Sequence, residues 1–580
     1  MKRLLTLLFL LFPLLTEAQE RDFRLMSFNI ERGDLSVSKG WGWDVRRPAA
    51  LAMLENDRPD VLGVQECNSQ QRDDILARMQ YKCIGLSVDG LSGEHATSAN
   101  YIFYDSGKFD LLDDGVFWYA FEPDSAGMYT WIAKKPRNAV WGRFRHKDSG
   151  REFIYINNHL QNGIDAVLNR AMSITLLLHK MREINPDALP LIYSGDLNSK
   201  GTEYYYAPLR QEMRHAVDVC PLTDRDVTLG SYKRKTGTDG QIDHIWFSGA
   251  LEGLRFAVDR DAYAGLDYVS DHFPVYCDFR FTDETPARGG EPSWFDIVPR
   301  ESDFTVKAGT WNLFSTVERG ERGAPSWNEV KAGVAATIAS LDVDLLGLQE
   351  LTDPMLRDLP RLLKAECGGR YKLWAAFSDP SPDNPGREAV GLLYNAERFV
   401  LSGQRQSWIR AGDTDTPAKP WGDSFRSVLT AVFKDKATGK RFFVLTGKFC
   451  KGANPVKFEG FVIKTIEQEQ NKDALPSILL ADMNTAPRGN VFISLLNYWT
   501  DSYALLYPFR DRYFSTRISQ TEYGPNTPQD WNIKYDIVGI SRYVENKIKV
   551  TSHTVHREIR MRTPVPSDHY PVTATFVFAE

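Results

Sequence analysis

The chain has 580 residues and a formal net charge of −6 at pH 7. Hydrophobic residues make up 42% of it and charged residues 25%, a balance that is typical of globular proteins and excludes a wholly disordered or fibrous chain. The mild acidity argues against a protein that coats nucleic acid regardless of sequence, but it allows a local basic groove. At about 150 residues per domain, the length alone predicts three or four domains.

Residues 1–18 have the pattern of a secretory signal peptide. Lys2-Arg3 precedes an apolar run from Leu4 to Leu15, and Thr16-Glu17-Ala18 resembles a cleavage site. A membrane anchor is the alternative, but this run is short for a segment that crosses a bilayer, and no later stretch is long and apolar enough. We therefore expect cleavage near Ala18 and a secreted or periplasmic protein without an integral membrane segment.

The cysteines do not suggest a functional site. There are six of them, too few for a disulfide scaffold, and none forms a CxxC pair. Buried free thiols are the simplest interpretation, and one or two disulfides stay open for an exported protein.

Several elements can be predicted in chain order from the apolar pattern. Amphipathic or apolar helices are expected over 46–56, 165–184 and 332–341. Short apolar strands are expected over 153–157, 189–194, 242–247 and 442–445. In most cases a polar residue follows the strand, so we expect carboxylates, amides and imidazoles to meet at one rim of a sheet.

The same ordered set of motifs occurs twice. The first copy reads SFNI at 27–30, VQE at 64–66, GDLN at 195–198, IDHI at 242–245 and SDHFPV at 270–275. The second reads TWNL at 310–313, LQE at 348–350, ADMN at 481–484, YDIV at 535–538 and SDHYPV at 567–572. Equivalent residues are 283 positions apart at Asn29 and Asn312 and 297 apart at His272 and His569, far more than in a solenoid repeat. The sequence therefore predicts two copies of one large domain.

The predicted organisation is a signal peptide over 1–18, a first domain over 19–281, a linker over 282–303 and a second domain over 304–580. The linker is suggested by Asp283 to Pro292, which is rich in proline, glycine and charge.

The polar motif residues of the first copy are mostly oxygen ligands, with two histidines and no thiolate. They are Asn29, Glu66, His159, Asp196, Asn198, Asp243, Asp271 and His272. Such a set suits Mg²⁺, Mn²⁺ or Ca²⁺ better than structural zinc. Each motif taken singly could be an ordinary turn, cap or hydrogen-bonded histidine, but the repetition of the whole set in one order favours function.

Together with NNHL at 157–160, these motifs resemble the endonuclease/exonuclease/phosphatase superfamily, whose members include pancreatic deoxyribonuclease and exonuclease III, and especially its exported bacterial members. The resemblance covers nearly all of both halves. It implies a four-layer α/β sandwich, with two packed mixed sheets flanked by helices, in two tandem copies. It also implies hydrolysis of a phosphoester, with Mg²⁺ as cofactor and Mn²⁺ or Ca²⁺ as alternatives. The substrate would be a nucleic acid, a nucleotide, an inositol phosphate or a lipid head group.

The resemblance also implies roles for the residues that would handle metal and water. Glu66 would hold the metal, assisted by Asn29 and Asp271. Asp196 would orient or deprotonate the attacking water, and Asn198 would help to position that water and the phosphate.

The two histidines would act on the phosphate. His272 would contact a phosphoryl oxygen, oriented by Asp243, and His159 would stabilise the transition state or protonate the leaving oxygen. Family members often carry a glutamate that orients the first histidine, six residues before a strand tyrosine. Here that position, before Tyr104, is Ser98.

The second copy keeps the set with one exchange, so its counterparts are Asn312, Glu350, Lys448, Asp482, Asn484, Asp536, Asp568 and His569. Lys448 stands where the first copy has His159, and Glu388, six residues before Tyr394, is available to pair with it. An ammonium cannot both donate and accept a proton at pH 7 as an imidazole can. We expect an impaired or altered site, with use of a different ester and substrate binding alone as the alternatives.

The predicted function is that of a secreted Mg²⁺-dependent phosphoesterase, more a phosphodiesterase than a phosphomonoesterase, acting through its first domain. The alternatives are a phosphomonoesterase for small phosphorylated molecules and a non-catalytic or substrate-binding protein that reuses the fold. The basic run Lys233-Arg234-Lys235 fits either a phosphate contact or a solvated loop.

Overall fold

The computed structural model describes most of the chain. The described residues are 21–91, 98–128, 131, 135–163, 166–224, 240–284, 303–410, 412–419, 425–449, 459–484, 495, 498–507, 535–541, 548–562 and 564–578. The predicted signal peptide, the run Lys233-Arg234-Lys235 and most of the predicted linker lie outside them, so those three expectations stay predictions.

The first half builds two mixed sheets. Its strands are β1 (Phe23–Asn29), β2 (Val61–Cys67), β3 (Lys82–Ser87), β4 (Ala99–Tyr104), β5 (Phe109–Trp118), β6 (Asn138–His146), β7 (Glu152–His159), β8 (Leu191–Asp196), β9 (Arg214–His215), β10 (Leu222–Thr223), β11 (Asp243–Ser248), β12 (Leu251–Val258) and β13 (Val275–Phe281). Its helices are α1 (Trp43–Asp57), α2 (Ser69–Met79), α3 (Val167–Ile184), α4 (Ala207–Glu212) and α5 (Ala216–Val219). One sheet has the order β10-β12-β13-β1-β2-β4-β3 and the other β5-β6-β7-β8-β11-β9.

The second half repeats this plan. Its strands are β14 (Thr305–Asn312), β15 (Leu345–Leu351), β16 (Tyr371–Phe377), β17 (Ala389–Asn395), β18 (Phe399–Trp408), β19 (Ser427–Asp435), β20 (Arg441–Lys448), β21 (Ser477–Asp482), β22 (Trp499–Asp501), β23 (Asp536–Ser541), β24 (Ile548–Val555) and β25 (Val572–Phe578). Its helices are α6 (Thr316–Glu321), α7 (Trp327–Leu341), α8 (Asp353–Cys367) and α9 (Glu459–Gln470). The sheets run β16-β17-β15-β14-β25-β24 and β18-β19-β20-β21-β23-β22.

The side chains of β1 show why the sheets stack in layers. Phe23 and Leu25 point into the core between the two sheets, where the Phe23 ring stacks on Phe153 of β7 at 4.9 Å. Met26 and Phe28 belong to the core under α1, which faces the outside of the sheet. Apolar residues on both faces mark a strand covered on both sides. The predicted four-layer α/β sandwich, present in two tandem copies, is confirmed.

The predicted elements are present with shifted ends. Helix α7 begins at Trp327 rather than at 332, because Ser326 and Glu329 form a capping box that satisfies the first backbone N–H groups. Strands β7 and β8 extend to His159 and Asp196, so these motif residues end the strands instead of following them.

Helix α3 is buried on nearly all of its faces, which is unusual for the outer layer of a sandwich. Its side chains share a core with Ile154 and Ile156 of β7, and the second half covers another face. Thr175 Oγ1 donates to Ala504 O at 2.5 Å, and the ring of His179 lies 4.8 Å from that of Tyr507. The two halves therefore share an apolar interface built around this helix.

Among the described residues, a search of the helices finds no segment that meets the length and hydropathy of a membrane span. The tryptophans Trp43, Trp118 and Trp131 are buried.

Candidate active site

Strand register brings three of the predicted residues into one row. His159 ends β7, Asp196 ends the parallel strand β8, and Asp243 begins the antiparallel strand β11. His159 is in register with Asp196, and Asp196 is in register with Asp243. The hydrogen-bonding of the sheet thus fixes an imidazole and two carboxylates side by side.

The other sheet supplies Asn29 at the end of β1. Its Nδ2 donates to Asp196 Oδ2 at 3.0 Å and lies 3.4 Å from Glu66 Oε1, so one amide group faces both carboxylates. Ser270 Oγ donates to Asn29 O at 2.6 Å and accepts from His272 N at 3.2 Å. This hydroxyl ties the loop that carries His272 to the end of β1.

Glu66 sits on a β-bulge between β2 and β4 with a positive φ of 60°. Its counterpart Glu350 has the same φ of 60°. A non-glycine residue in this region costs about 1–3 kcal/mol, and such strain is concentrated at functional sites. The Glu66 side chain keeps 25% of its surface exposed, so an ion can reach its carboxylate.

His272 and Asp243 form a buried ion pair. His272 Nδ1 donates to Asp243 Oδ2 at 2.8 Å, and its Nε2 lies 3.7 Å from Asp196 Oδ2. Burial lowers the pKa of His272, but the charges of Asp243 and Asp196 outweigh it and raise that pKa well above its usual value. Burial and the Asp243 charge raise the pKa of Asp196 to about 7, against the pull of His272.

His159 is held in one orientation by Asn198. Asn198 Nδ2 lies 3.0 Å from His159 Nε2 and donates to Leu160 O at 3.0 Å, and Asp196 Oδ2 lies 3.3 Å from the same ring nitrogen. His159 Nδ1 lies 3.9 Å from Glu66 Oε1. Burial, together with the charges of Arg137 and His272, lowers the pKa of His159 well below its usual value, so the ring is neutral.

Asp271 is half-buried, and its charge contributes to the raised pKa of His272. The structure thus places Asp271 beside His272. All eight residues predicted for the first copy therefore meet at one end of the two sheets, while their assigned roles stay predictions.

Two arginine positions near the site were not predicted from the sequence, and each is present in both copies. Arg137, just before β6, is only 8% exposed, and the charges of Glu66 and Asp196 act on its guanidinium. Its Nε donates to Gln161 Oε1 at 3.3 Å. Arg426 stands at the same place before β19, so comparison of the two copies was the signal that would have found both.

The second arginine position that was not predicted contacts the loop that follows Asn29. Arg46 donates to Ile30 O at 2.7 Å and to Val269 O at 2.9 Å, which joins the Asn29 loop to the segment before Ser270. Arg319 makes the equivalent bonds to Leu313 O and Pro566 O. Arg319 lies in α6, whereas Arg46 lies in the long helix α1. Aligning the two copies residue by residue therefore does not pair these two arginines.

The second copy reproduces the row of residues. Asn312 Nδ2 donates to Asp482 Oδ2 at 2.8 Å, and Asn484 N donates to Asp482 Oδ1 at 2.8 Å. His569 Nδ1 donates to Asp536 Oδ2 at 2.8 Å. Burial opposes protonation of His569, but Asp536 and Asp482 raise its pKa to about 10.

Lys448 makes the difference between the copies. It is in register with Asp482, as His159 is with Asp196, and its Nζ lies 2.7 Å from Glu350 Oε1. It also donates to Glu388 Oε2 at 2.8 Å, which confirms the expected pairing with Glu388. Burial lowers the pKa of Lys448, but Glu350 and Glu388 raise it above its usual value.

Among the described residues, three groups of side chains gather ligand atoms within 4.8 Å of one another and could hold a metal ion. They are Asp196, Asp243 and His272 in the first half, and Asp482, Asp536 and His569 together with Glu318, Glu350 and Glu388 in the second. Acidic and histidine triads of this kind are therefore present in both halves. In the first half, Glu66 and Asn29 add hard oxygen donors of the type that Mg²⁺ takes, so the residues fit a divalent ion.

The sequence matches the model of the endonuclease/exonuclease/phosphatase family twice, over residues 26–272 and 309–569. The chain belongs to this family. The name of the family covers endonucleases, exonucleases and phosphatases.

Relatives and solved structures are similar at low identity. Human nocturnin is 23% identical over 270 residues, which cover 42% of this chain and 59% of nocturnin. The chain therefore spans less than two thirds of that relative. A mannosyl-6-phosphatase from Bacteroides thetaiotaomicron is 28% identical, with a TM-score of 0.40, covering 45% of this chain and 100% of that one. A family member from Bacteroides vulgatus is 27% identical, with a TM-score of 0.41, covering 45% of this chain and 98% of that one.

Proposed function

We propose that the N-terminal half hydrolyses a phosphoester by attack of water, with Mg²⁺ as its metal ion and Mn²⁺ or Ca²⁺ as alternatives. The observation that carries this proposal is the position of the buried Asp196 carboxylate, whose Oδ2 lies 3.3 Å from His159 Nε2 and 3.7 Å from His272 Nε2. The pKa of His159 is lowered and that of His272 is raised, so the two rings differ in charge. Groups of opposite proton affinity around one reaction centre are what acid–base chemistry requires.

Asp196 is the proposed general base. A carboxylate with a pKa near the working pH is suited to take the proton from the attacking water, a contribution of typically 10²–10⁴-fold. Asn198 N donates to Asp196 Oδ1 at 2.9 Å, and Asn29 Nδ2 donates to Oδ2 at 3.0 Å. These two bonds hold both carboxylate oxygens in place.

His272 is the proposed stabiliser of charge on the phosphoryl oxygens. Its Nδ1 is bound to Asp243, so the proton on Nε2 points toward the Asp196 side of the site. The lowered pKa of His159 keeps its ring neutral, which supports stabilisation of the transition state rather than protonation of the leaving group. A divalent ion held by Glu66, with Asn29 beside it and Asp271 nearby, would supply further neutralisation of phosphate charge.

A phosphodiester is the substrate proposed first, from the family resemblance of the motifs. A phosphomonoester is the second candidate, and Arg137 favours it. A guanidinium buried beside Glu66 and Asp196 adds positive charge that a dianionic phosphate needs more than a monoanionic diester does.

The C-terminal half is proposed to be non-hydrolytic. Lys448 lacks the neutral donor and acceptor atoms of His159 and is bound to two carboxylates. Export is part of the same proposal, and amino-terminal sequencing of the secreted chain tests it, with Gln19 as the expected first residue.

The test uses the full chain with Mg²⁺. Hydrolysis of bis-p-nitrophenyl phosphate, p-nitrophenyl phosphate, DNA and RNA is measured before and after chelation and in a Glu66→Gln variant. We expect hydrolysis of at least one substrate that is lost on chelation, regained with Mg²⁺ and absent in Glu66→Gln. Activity that survives both the chelator and the substitution would refute the proposal.

A further inference from the structure

The two glutamates expected to hold metal are in different states. Glu350 Oε1 accepts from Asn312 Nδ2 at 2.7 Å and from Lys448 Nζ at 2.7 Å, and its Oε2 accepts from Ser315 N at 2.8 Å. Both oxygens are thus engaged, and the side chain is 6% exposed. For Glu66, by contrast, the corresponding distance from the asparagine Nδ2 is 3.4 Å and the side chain is 25% exposed.

The backbone does not cause this difference. Glu66 and Glu350 have the same positive φ of 60°. Each lies on a bulge of the equivalent strand pair, β2 with β4 and β15 with β17. The residue at the end of the neighbouring strand does differ. The imidazole of His159 stays 3.9 Å from Glu66, whereas the longer Lys448 side chain reaches Glu350 and also Glu388.

A second cation of the chain meets the other expected carboxylate ligand. Arg322 Nη1 donates to Asp568 Oδ2 at 3.3 Å, and Arg322 Nη2 donates to Glu318 Oε2 at 2.7 Å. Asp568 is the counterpart of Asp271. Both carboxylates that the motif comparison assigns to metal in the second copy are therefore paired with side chains of this protein.

We infer that the Lys448 ammonium replaces the divalent ion in the C-terminal site, so that this copy holds no metal. The inference rests on the proposed function, since it takes the N-terminal copy as the metal-binding reference. Mg²⁺ needs oxygen ligands at about 2.0–2.1 Å in near-octahedral arrangement. It could reach Glu350 only after displacing an ammonium that already contacts two carboxylates at hydrogen-bond distance.

The consequence is a division of labour between the copies. Lys448 places one permanent positive charge between Glu350 and Glu388, so part of their negative charge is offset without an ion. Its remaining row of Asp482, Asp536 and His569 is held by the same bonds as in the first copy.

The test counts Mn²⁺ ions bound by the full chain, using electron paramagnetic resonance of free Mn²⁺ during a titration. We expect one site in the wild type, lost in Glu66→Gln and kept in Glu350→Gln. We expect a second site to appear in Lys448→His, which restores the residue of the first copy, and in Lys448→Met. Thermal unfolding identifies any variant that fails to fold, and two variants at this position guard against that outcome.

Three outcomes would overturn the inference: two sites in the wild type, loss of the only site in Glu350→Gln, or no added site in either folded Lys448 variant. A wild type without any site would contradict metal use by the N-terminal half instead. In that case the appearance of one site in Lys448→His would still support the replacement of metal by Lys448.

Discussion

His159 and Lys448 occupy the same position in the two halves. Each is the last residue of its strand, and each is in register with the aspartate that ends the next parallel strand, Asp196 or Asp482. In both sites the asparagine donates to that aspartate and the second histidine donates to another aspartate. One exchange of side chain thus replaces a neutral ring with a fixed positive charge. The asymmetry between the copies follows from this exchange.

Loss of the protonated histidine is expected to lower kcat only when it is made in the first copy. Because His272 is the proposed donor to phosphoryl oxygens, His272→Asn should lower kcat by about 10²–10⁴-fold with little change in KM. The matched control is His569→Asn, which removes the same bond to an aspartate in the second copy. Steady-state kinetics on the full chain decides, and equal losses in both variants would show that both halves turn over substrate.

Arg137 is expected to favour binding of a dianionic phosphomonoester over a monoanionic phosphodiester. Arg137→Met should raise KM for p-nitrophenyl phosphate several-fold more than KM for bis-p-nitrophenyl phosphate, because the dianion gains more from a buried guanidinium. Arg426→Met is the control, since this arginine lies at the same place in the other half. A loss of the same size for both substrates would mean that Arg137 positions the site instead of reading phosphate charge.

The His569–Asp536 pair predicts a pH dependence of stability. The pKa of His569 is about 10 in the folded protein against about 6.5 in the unfolded chain, so protonation stabilises the fold. This contribution is fully present below pH 6.5 or so and is lost as the pH rises through about 10.

A double-mutant cycle isolates this contribution from other titrations. Urea unfolding of wild type, His569→Asn, Asp536→Asn and the double variant gives the coupling free energy of the pair. We expect a coupling of a few kcal/mol at pH 7 that shrinks above pH 10. Coupling that grows with pH would contradict the assigned charge state.

The burial of α3 by the second half predicts that the first half needs the second half to stay monomeric. Residues 19–281 alone should bind the dye ANS and self-associate, because the apolar surface of α3 that meets Ala504 and Tyr507 would be exposed. Co-expression with residues 304–580 should suppress both effects. A stable monomer without dye binding, seen by size-exclusion chromatography, would show that the interface is dispensable.

Many elements and site residues could be predicted from the sequence because the site residues lie at the ends of apolar strands. Asn29, His159 and Asp196 each end an apolar strand, so a strand pattern followed by a polar residue identified both the element and the site. The pairing of Lys448 with Glu388 is predictable because Glu388 stands six residues before Tyr394 in the second copy.

Other features depend on contacts that no local pattern encodes. Arg46 and Arg319 brace the same loop from different helices, so spacing carries no signal for them. The orienting partner of His159 is Asn198, which reaches it through strand register and a positive φ of 51° instead of through the glutamate position at Ser98. The burial of α3 arises from the second half of the chain, which a helix pattern alone cannot reveal.

We propose that one of the two sites hydrolyses phosphoesters and that Asp196 is its base. The most direct measurement is kcat of full-length Asp196→Asn beside full-length Asp482→Asn with saturating Mg²⁺. We predict a loss of at least about 10²-fold for Asp196→Asn and wild-type turnover for Asp482→Asn. Wild-type turnover in Asp196→Asn would contradict the role of Asp196 as the base, and an equal loss in Asp482→Asn would contradict hydrolysis by one site alone.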